Sequence, residues 1–218
     1  MLLLILPITL STSTLVYPRY KYYTGSCPKI NTVDNFNLTE YVNGKWYIQK
    51  QQETSYLPLN SNYCVTAEYE ISHRKIPFYH GNVISVFNYA NLGKVNGKTM
   101  ESGNTLCARI PNSSIPSKLL VAPCFLPNIF AGDYWVVDAG PQSDDYQWAI
   151  ISGGQPTEKY SDGCTTKIKG INGSGLWFFT RMQNPNNTLL DFISEKAKNL
   201  GFTLQKLNNV EQKGCLYN

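Results

Sequence analysis

Apolar and polar residues alternate along short stretches of this chain, and one long segment breaks the alternation. From Trp46 to Met182 it has the two-residue period of half-buried strands. Candidate strands are Trp46–Glu53, Tyr63–Ile71, Asn82–Tyr89, Lys98–Ile110, Lys118–Cys124, Tyr134–Asp138, Trp148–Ser152 and Leu176–Met182. Turn signals separate them: His80-Gly81, Asn96-Gly97, Ala139-Gly140-Pro141, Gly153-Gly154 and the glycine-rich 170–175 segment. In "CVTAEYEI" the apolar set is Val65, Ala67, Tyr69 and Ile71, with Thr66, Glu68 and Glu70 on the other face. "NVISVFNY" allows two readings, with either Ile84, Val86 and Asn88 or Val83, Ser85, Phe87 and Tyr89 inward.

The period then switches. "NNTLLDFISEKAKNLGF" carries Leu189, Leu190, Ile193, Ala197 and Leu200 at helical spacing. Asn187 or Thr188 is the expected cap, Gly201 the stop, and Lys196 and Lys198 suit the negative end of the helix dipole. A final strand is expected over Phe202–Leu207, and one early helical turn in "NLTEYVNG", capped by Thr39 and ended by Gly44. Regularly spaced short strands joined by tight turns suggest an all-β barrel or sandwich, and the order of eight strands, one helix and a short strand favours an eight-stranded antiparallel up-and-down β-barrel with one C-terminal α-helix and a short ninth strand. Closure removes exposed strand edges, and eight strands leave an interior that holds one small ligand.

Composition narrows the function. The 218 residues fit one domain, with 42% hydrophobic and 16% charged residues and a net charge of +4. The basic residues are scattered without a run, so no nucleic-acid partner is expected. Fifteen tyrosines suit strands and a pocket with polar tips. The apolar run Leu2–Leu10 is too short to span a bilayer, and small residues follow it. Residues 1–16 therefore read as a signal peptide and residues 17–218 as a single domain of a secreted protein. Six cysteines, no C-x-x-C and two histidines argue for disulfides in an oxidising compartment, with no metal site and no cofactor. His73 and His80 read as solvated loop residues. The sequons at Asn37, Asn112, Asn172 and Asn186 are candidate glycosylation sites on surface turns.

Three motifs in order carry a resemblance. Gly44-Lys45-Trp46 opens the first strand. "SDDYQWAII" contributes Asp144 and Trp148. "GLWFFTR" ends the eighth strand on Arg181. Together, over roughly Cys27 to Cys215, they resemble the lipocalin family of the calycin superfamily, nearest in pattern to its apolipoprotein D and bacterial-lipocalin branch. The resemblance implies that Trp46 plugs the closed end of the barrel beneath the Arg181 guanidinium, and that Gly44, Trp46, Asp144, Trp148 and Arg181 are structural. It implies the pairings Cys27–Cys164 and Cys64–Cys215. Cys107 and Cys124 remain, on adjacent candidate strands, and are paired by inference.

By analogy with the family the inward set of "NVISVFNY" is Ile84, Val86 and Asn88. The expected ligand-binding residues are then Val65, Ala67, Tyr69, Ile84, Val86, Asn88, Leu119, Val121, Tyr134 and Val136. The resemblance implies a secreted carrier of a small hydrophobic molecule: a fatty acid, lysolipid, sterol, retinoid or pigment. Tyrosine and asparagine tips would orient a carboxylate or hydroxyl head group. No catalytic residue is expected, since no nucleophile, base and oxyanion donor come together. Two alternatives stand beside the carrier: a lipocalin-fold enzyme, isomerase or de-epoxidase-like, and a host- or protein-interaction glycoprotein. The loops "NSSIPSKL" and "FLPNIFAGDYW" are expected at the mouth, where apolar residues would touch a membrane or control entry.

Overall fold

The structure is a computed structural model that describes residues 25–170 and 172–217. The expected signal peptide lies outside the described residues. The strands are β1 (Trp46–Gln52), β2 (Tyr63–Ser72), β3 (Val83–Leu92), β4 (Lys98–Glu101), β5 (Leu106–Arg109), β6 (Lys118–Pro123), β7 (Gly132–Gln142), β8 (Asp145–Ser152), β9 (Glu158–Tyr160), β10 (Gly163–Thr165), β11 (Leu176–Thr180) and β12 (Leu207–Asn209). Among the described residues the strands are accompanied by two α-helices, α1 (Leu38–Val42) and α2 (Asn187–Asn199), and by three short 3-10 turns.

One antiparallel sheet runs β11-β8-β7-β6-β5-β3-β2-β1, and β1 pairs again with β11 to close it. The expected fourth strand is two pieces, β4 and β5, both paired with β3 and separated by a 3-10 turn at Gly103–Thr105. Counted together they make the eight-stranded barrel. The ninth strand is β12, five residues later in its start than expected: Phe202 instead bridges Cys164, and Leu207–Asn209 pairs with the far end of β1. The small β9–β10 hairpin has no counterpart in the sequence reading.

Register fixes the two faces. Trp46 pairs with Ala67, Tyr69 with Val86, Ile84 with Ala108, and Ala108 with Val121. All of these face inward, so the Ile84, Val86, Asn88 set of β3 is the interior one. A bulge between Ile48 and Lys50 then turns Gln51 inward beside Trp177.

Helix α2 packs across the outside of β7, β8 and β11. Ile193 and Ala197 are fully buried against Val137, Trp148, Ile150, Leu176 and Phe178. This explains the unbroken apolar run of β8: alternate residues meet the helix and the barrel interior. Asn186, one residue before the expected caps, caps α2 by accepting from the Leu189 N–H at 2.9 Å. Asn37, rather than Thr39, likewise caps α1 through the Glu40 N–H. Gly201 ends α2 at φ +90°, and a Cβ there would lie 2.5 Å from Pro28.

Candidate functional site: the barrel interior

Antiparallel strands alternate in direction, so their connections alternate between the two ends of the barrel. Trp46 begins β1, and segments 73–82, 110–117 and 143–144 share its end. Segments 53–62, 93–97, 124–131 and 153–175 lie at the other.

The Trp46 end is sealed. Trp46 is completely buried, and its indole N–H donates to the Tyr41 carbonyl at 2.9 Å. The Arg181 guanidinium carbon stands 3.7 Å over the ring. Its N–H groups donate to the carbonyls of Gly44, Lys45, Glu40, Tyr41 and Tyr146. One planar fork thus holds the end of α1, the following turn and β8 against the plug. Gly44 sits at φ +82°, a left-handed conformation that side chains resist, and it turns the chain from α1 into β1. Phe36 and Tyr146 join Tyr41 in the same aromatic floor, where the Tyr146 hydroxyl accepts from the Asn37 N–H.

Inside the wall the ten expected lining residues divide. Val65, Ala67, Ile84, Val86, Leu119 and Val136 are buried in one apolar cluster that also takes in Ile48, Ala149, Ile151 and Phe179. Tyr69, Asn88, Val121 and Tyr134 face inward yet keep accessible surface, as do Leu106 and Trp177. These six are the least enclosed of the inward-facing side chains.

The walls of the interior are apolar and its polar groups are few. Tyr134 Oη lies 2.6 Å from Tyr41 Oη and 2.7 Å from Tyr69 Oη. Burial pushes all three phenols up from their ordinary range, so they stay protonated and neutral. Gln51 donates to Asn62 Oδ1 at 2.7 Å, and its own carbonyl oxygen, buried, has no partner.

No protein-family model matches the chain. The Lazarillo protein of Schistocerca americana is 23% identical over 198 residues, 87% of this chain and 76% of that protein. Among solved structures, insecticyanin from the tobacco hornworm Manduca sexta superposes with a TM-score of 0.52 at 16% identity, covering 87% of this chain and 88% of that one. The amine binding protein of Rhodnius prolixus, solved as its tryptamine complex, gives a TM-score of 0.53 at 12% identity, covering 89% and 91%.

The chain has the lipocalin fold. The likeness reaches the fold and does not single out the apolipoprotein D and bacterial-lipocalin branch. All three lipocalin motifs take up positions in the closed end or beside it. Trp46 and Arg181 stack as expected. Asp144 is exposed in the two-residue turn before β8. Trp148 faces outward, edge-on to Phe192 of α2, while Tyr146 two residues earlier supplies the floor. The disulfides are Cys27–Cys164, Cys64–Cys215 and Cys107–Cys124, all three as expected. His73 and His80 are exposed.

One placement is corrected. The Asn112–Ser117 loop belongs to the sealed end, not the mouth. Ser117 bonds Thr32 of the N-terminal arm at 2.8 Å, and a polar groove of about 380 Å³ separates the loop from residues 31–36. Only the 124–131 loop of the expected pair stands at the open end, with Phe125, Ile129 and Phe130 exposed. Strand parity carries this information: an odd number of strands precedes one kind of loop and an even number the other. Tyr41, Trp177 and Gln51 were absent from the expected lining. Tyr41 belongs to no strand, Gln51 depends on the bulge in β1, and Trp177 follows from alternation with Phe179 along β11.

Proposed function

We propose that the protein is an extracellular carrier that holds one small lipophilic molecule in its barrel and leaves it chemically unchanged. The observation that carries the reading is a closed barrel with a mostly apolar inward face, sealed at one end by Trp46 and Arg181. A mostly apolar interior with a few convergent polar groups suits such a molecule. The tryptamine complex of the Rhodnius prolixus protein supports small-ligand binding on this fold. Secretion through the N-terminal segment is supported by the three disulfides, which persist in oxidising compartments. Glycosylation is supported by the exposure of Asn37, Asn112, Asn172 and Asn186.

The enzyme alternative loses its most reactive nucleophile, because all six cysteines are in disulfides. A contact with a lipid surface at the open end has a specific observation in its favour. Phe125, Ile129 and Phe130 stand exposed on a loop without a charged residue, and Tyr56 and Leu59 are exposed on the 53–62 loop. Mass spectrometry of an organic-solvent extract of the purified, disulfide-intact protein, against a mock purification, tests the carrier. A stoichiometric lipophile supports it. An empty extract, followed by no binding across a panel of neutral and charged lipophiles, refutes it.

A further inference from the structure

The hydroxyls of Tyr41, Tyr69 and Tyr134 meet inside the barrel, on two different strands and a helix at the sealed end. They are the centre of the interior's polarity. Each phenol brings one donor and spare acceptor capacity. The two short contacts through Tyr134 consume two of the three protons. One proton is left to donate, and unshared lone pairs remain on the oxygens. The cluster can therefore both give and receive a hydrogen bond.

We propose that this cluster selects, within the carrier reading on which the inference rests, an uncharged ligand bearing a hydroxyl group, seated with that group against the three tyrosines. A hydroxyl matches the cluster because it donates and accepts at once. A carboxylate only accepts, and needs several donors when it leaves water. The guanidinium that would otherwise serve it is behind the Trp46 plug, with its N–H groups engaged by five carbonyls. An ammonium finds no carboxylate among the inward-facing residues Tyr69, Asn88, Leu106, Val121, Tyr134 and Trp177, and feels the Arg181 charge nearby. Burial keeps the phenols neutral, so the cluster does not supply a counter-charge for a cation. The unpartnered Gln51 carbonyl oxygen, also on the interior face, is a second acceptor suited to a neutral donor.

Displacement of the neutral fluorophore N-phenylnaphthylamine by decanol, decane, decanoate and decylammonium tests the proposal on the intact protein. Decanol is expected to bind at least about tenfold tighter than either ion. Tyr134→Phe removes the hydroxyl that joins the other two, and is expected to weaken decanol about three- to tenfold, the scale of one neutral hydrogen bond, with decane unchanged. Tyr69→Phe is the second variant, because it leaves the Tyr41–Tyr134 contact in place should loss of the central hydroxyl unfold the chain. The inference is overturned when both variants leave the decanol-to-decane ratio unchanged, or when either ion outcompetes decanol. Failure of the fluorophore and of every decyl probe to bind overturns the carrier reading itself, and the inference with it. Binding of the probes with an unmoved ratio overturns the inference alone.

Discussion

Arg181→Ala tests the sealed end most directly. The substitution removes a guanidinium stacked at 3.7 Å on Trp46 and its five contacts to the carbonyls of Glu40, Tyr41, Gly44, Lys45 and Tyr146. A cation–π stack of this kind contributes about 0.5–2 kcal/mol. A hydrogen bond from a charged donor contributes about 1.5–3 kcal/mol, but the five contacts share three nitrogens and are not additive. Arg181 is only partly buried, so water replaces some of the lost donors. A net loss of about 3–4 kcal/mol is expected, near the upper end for single substitutions. For a domain of this size that lowers Tm on the order of 10 °C. Urea unfolding of the disulfide-intact protein, followed by tryptophan fluorescence, measures it. Arg181→Lys keeps the charge and loses the planar fork, and is expected to recover less than half of the loss. Probe binding below the melting range should change little, since Arg181 lies outside the interior space. A loss under about 1 kcal/mol for Arg181→Ala refutes the reasoning.

Three further outcomes follow from the packing. Ile193→Ala, at a fully buried contact between α2 and the barrel, should cost about 2–4 kcal/mol by chemical denaturation, whereas Lys198→Ala on the exposed face should cost under about 0.5 kcal/mol. Replacing Cys107 and Cys124 together by serine opens a bridge across 17 residues and should cost about 3 kcal/mol, read in the same assay. Burial raises the phenol pKa values of Tyr41, Tyr69 and Tyr134, so their contribution to stability is fully present below the ordinary tyrosine value near about 10 and declines as pH rises towards the folded values. Stability should therefore fall above about pH 10, and an absorbance titration should show these three phenolates appearing only with unfolding. Early titration of every tyrosine contradicts the buried cluster.

The parts of this fold legible in the sequence are those with a local signature. Trp46 after Gly44, the alternation of β2 and the helical spacing of α2 each depend on neighbours a few residues away. The choice of interior face on β3 was ambiguous from alternation alone, because apolar residues occupy both sides. Loop 73–82 is the reason: it folds over the outer face, where Ile76 and Val83 are buried with Cys107. The strand between Lys98 and Ile110 breaks where Gly103 takes φ +54° inside a 3-10 turn, a conformation its neighbours do not announce. The tyrosine cluster was half visible. Tyr69 and Tyr134 follow from strand parity, but Tyr41 reaches them from α1, and nothing in its local pattern places that helix under the barrel.

The disulfides give the chain a covalent topology distinct from its linear order. Cys27–Cys164 and Cys64–Cys215 span 137 and 151 residues, and both cross the exposed 124–131 loop in sequence. A peptide bond hydrolysed in that loop leaves two fragments joined twice, one carrying Cys27 and Cys64 and the other Cys164 and Cys215. The open end can then be nicked by a protease without releasing either half of the wall, and the barrel remains a single molecule until its bridges are reduced.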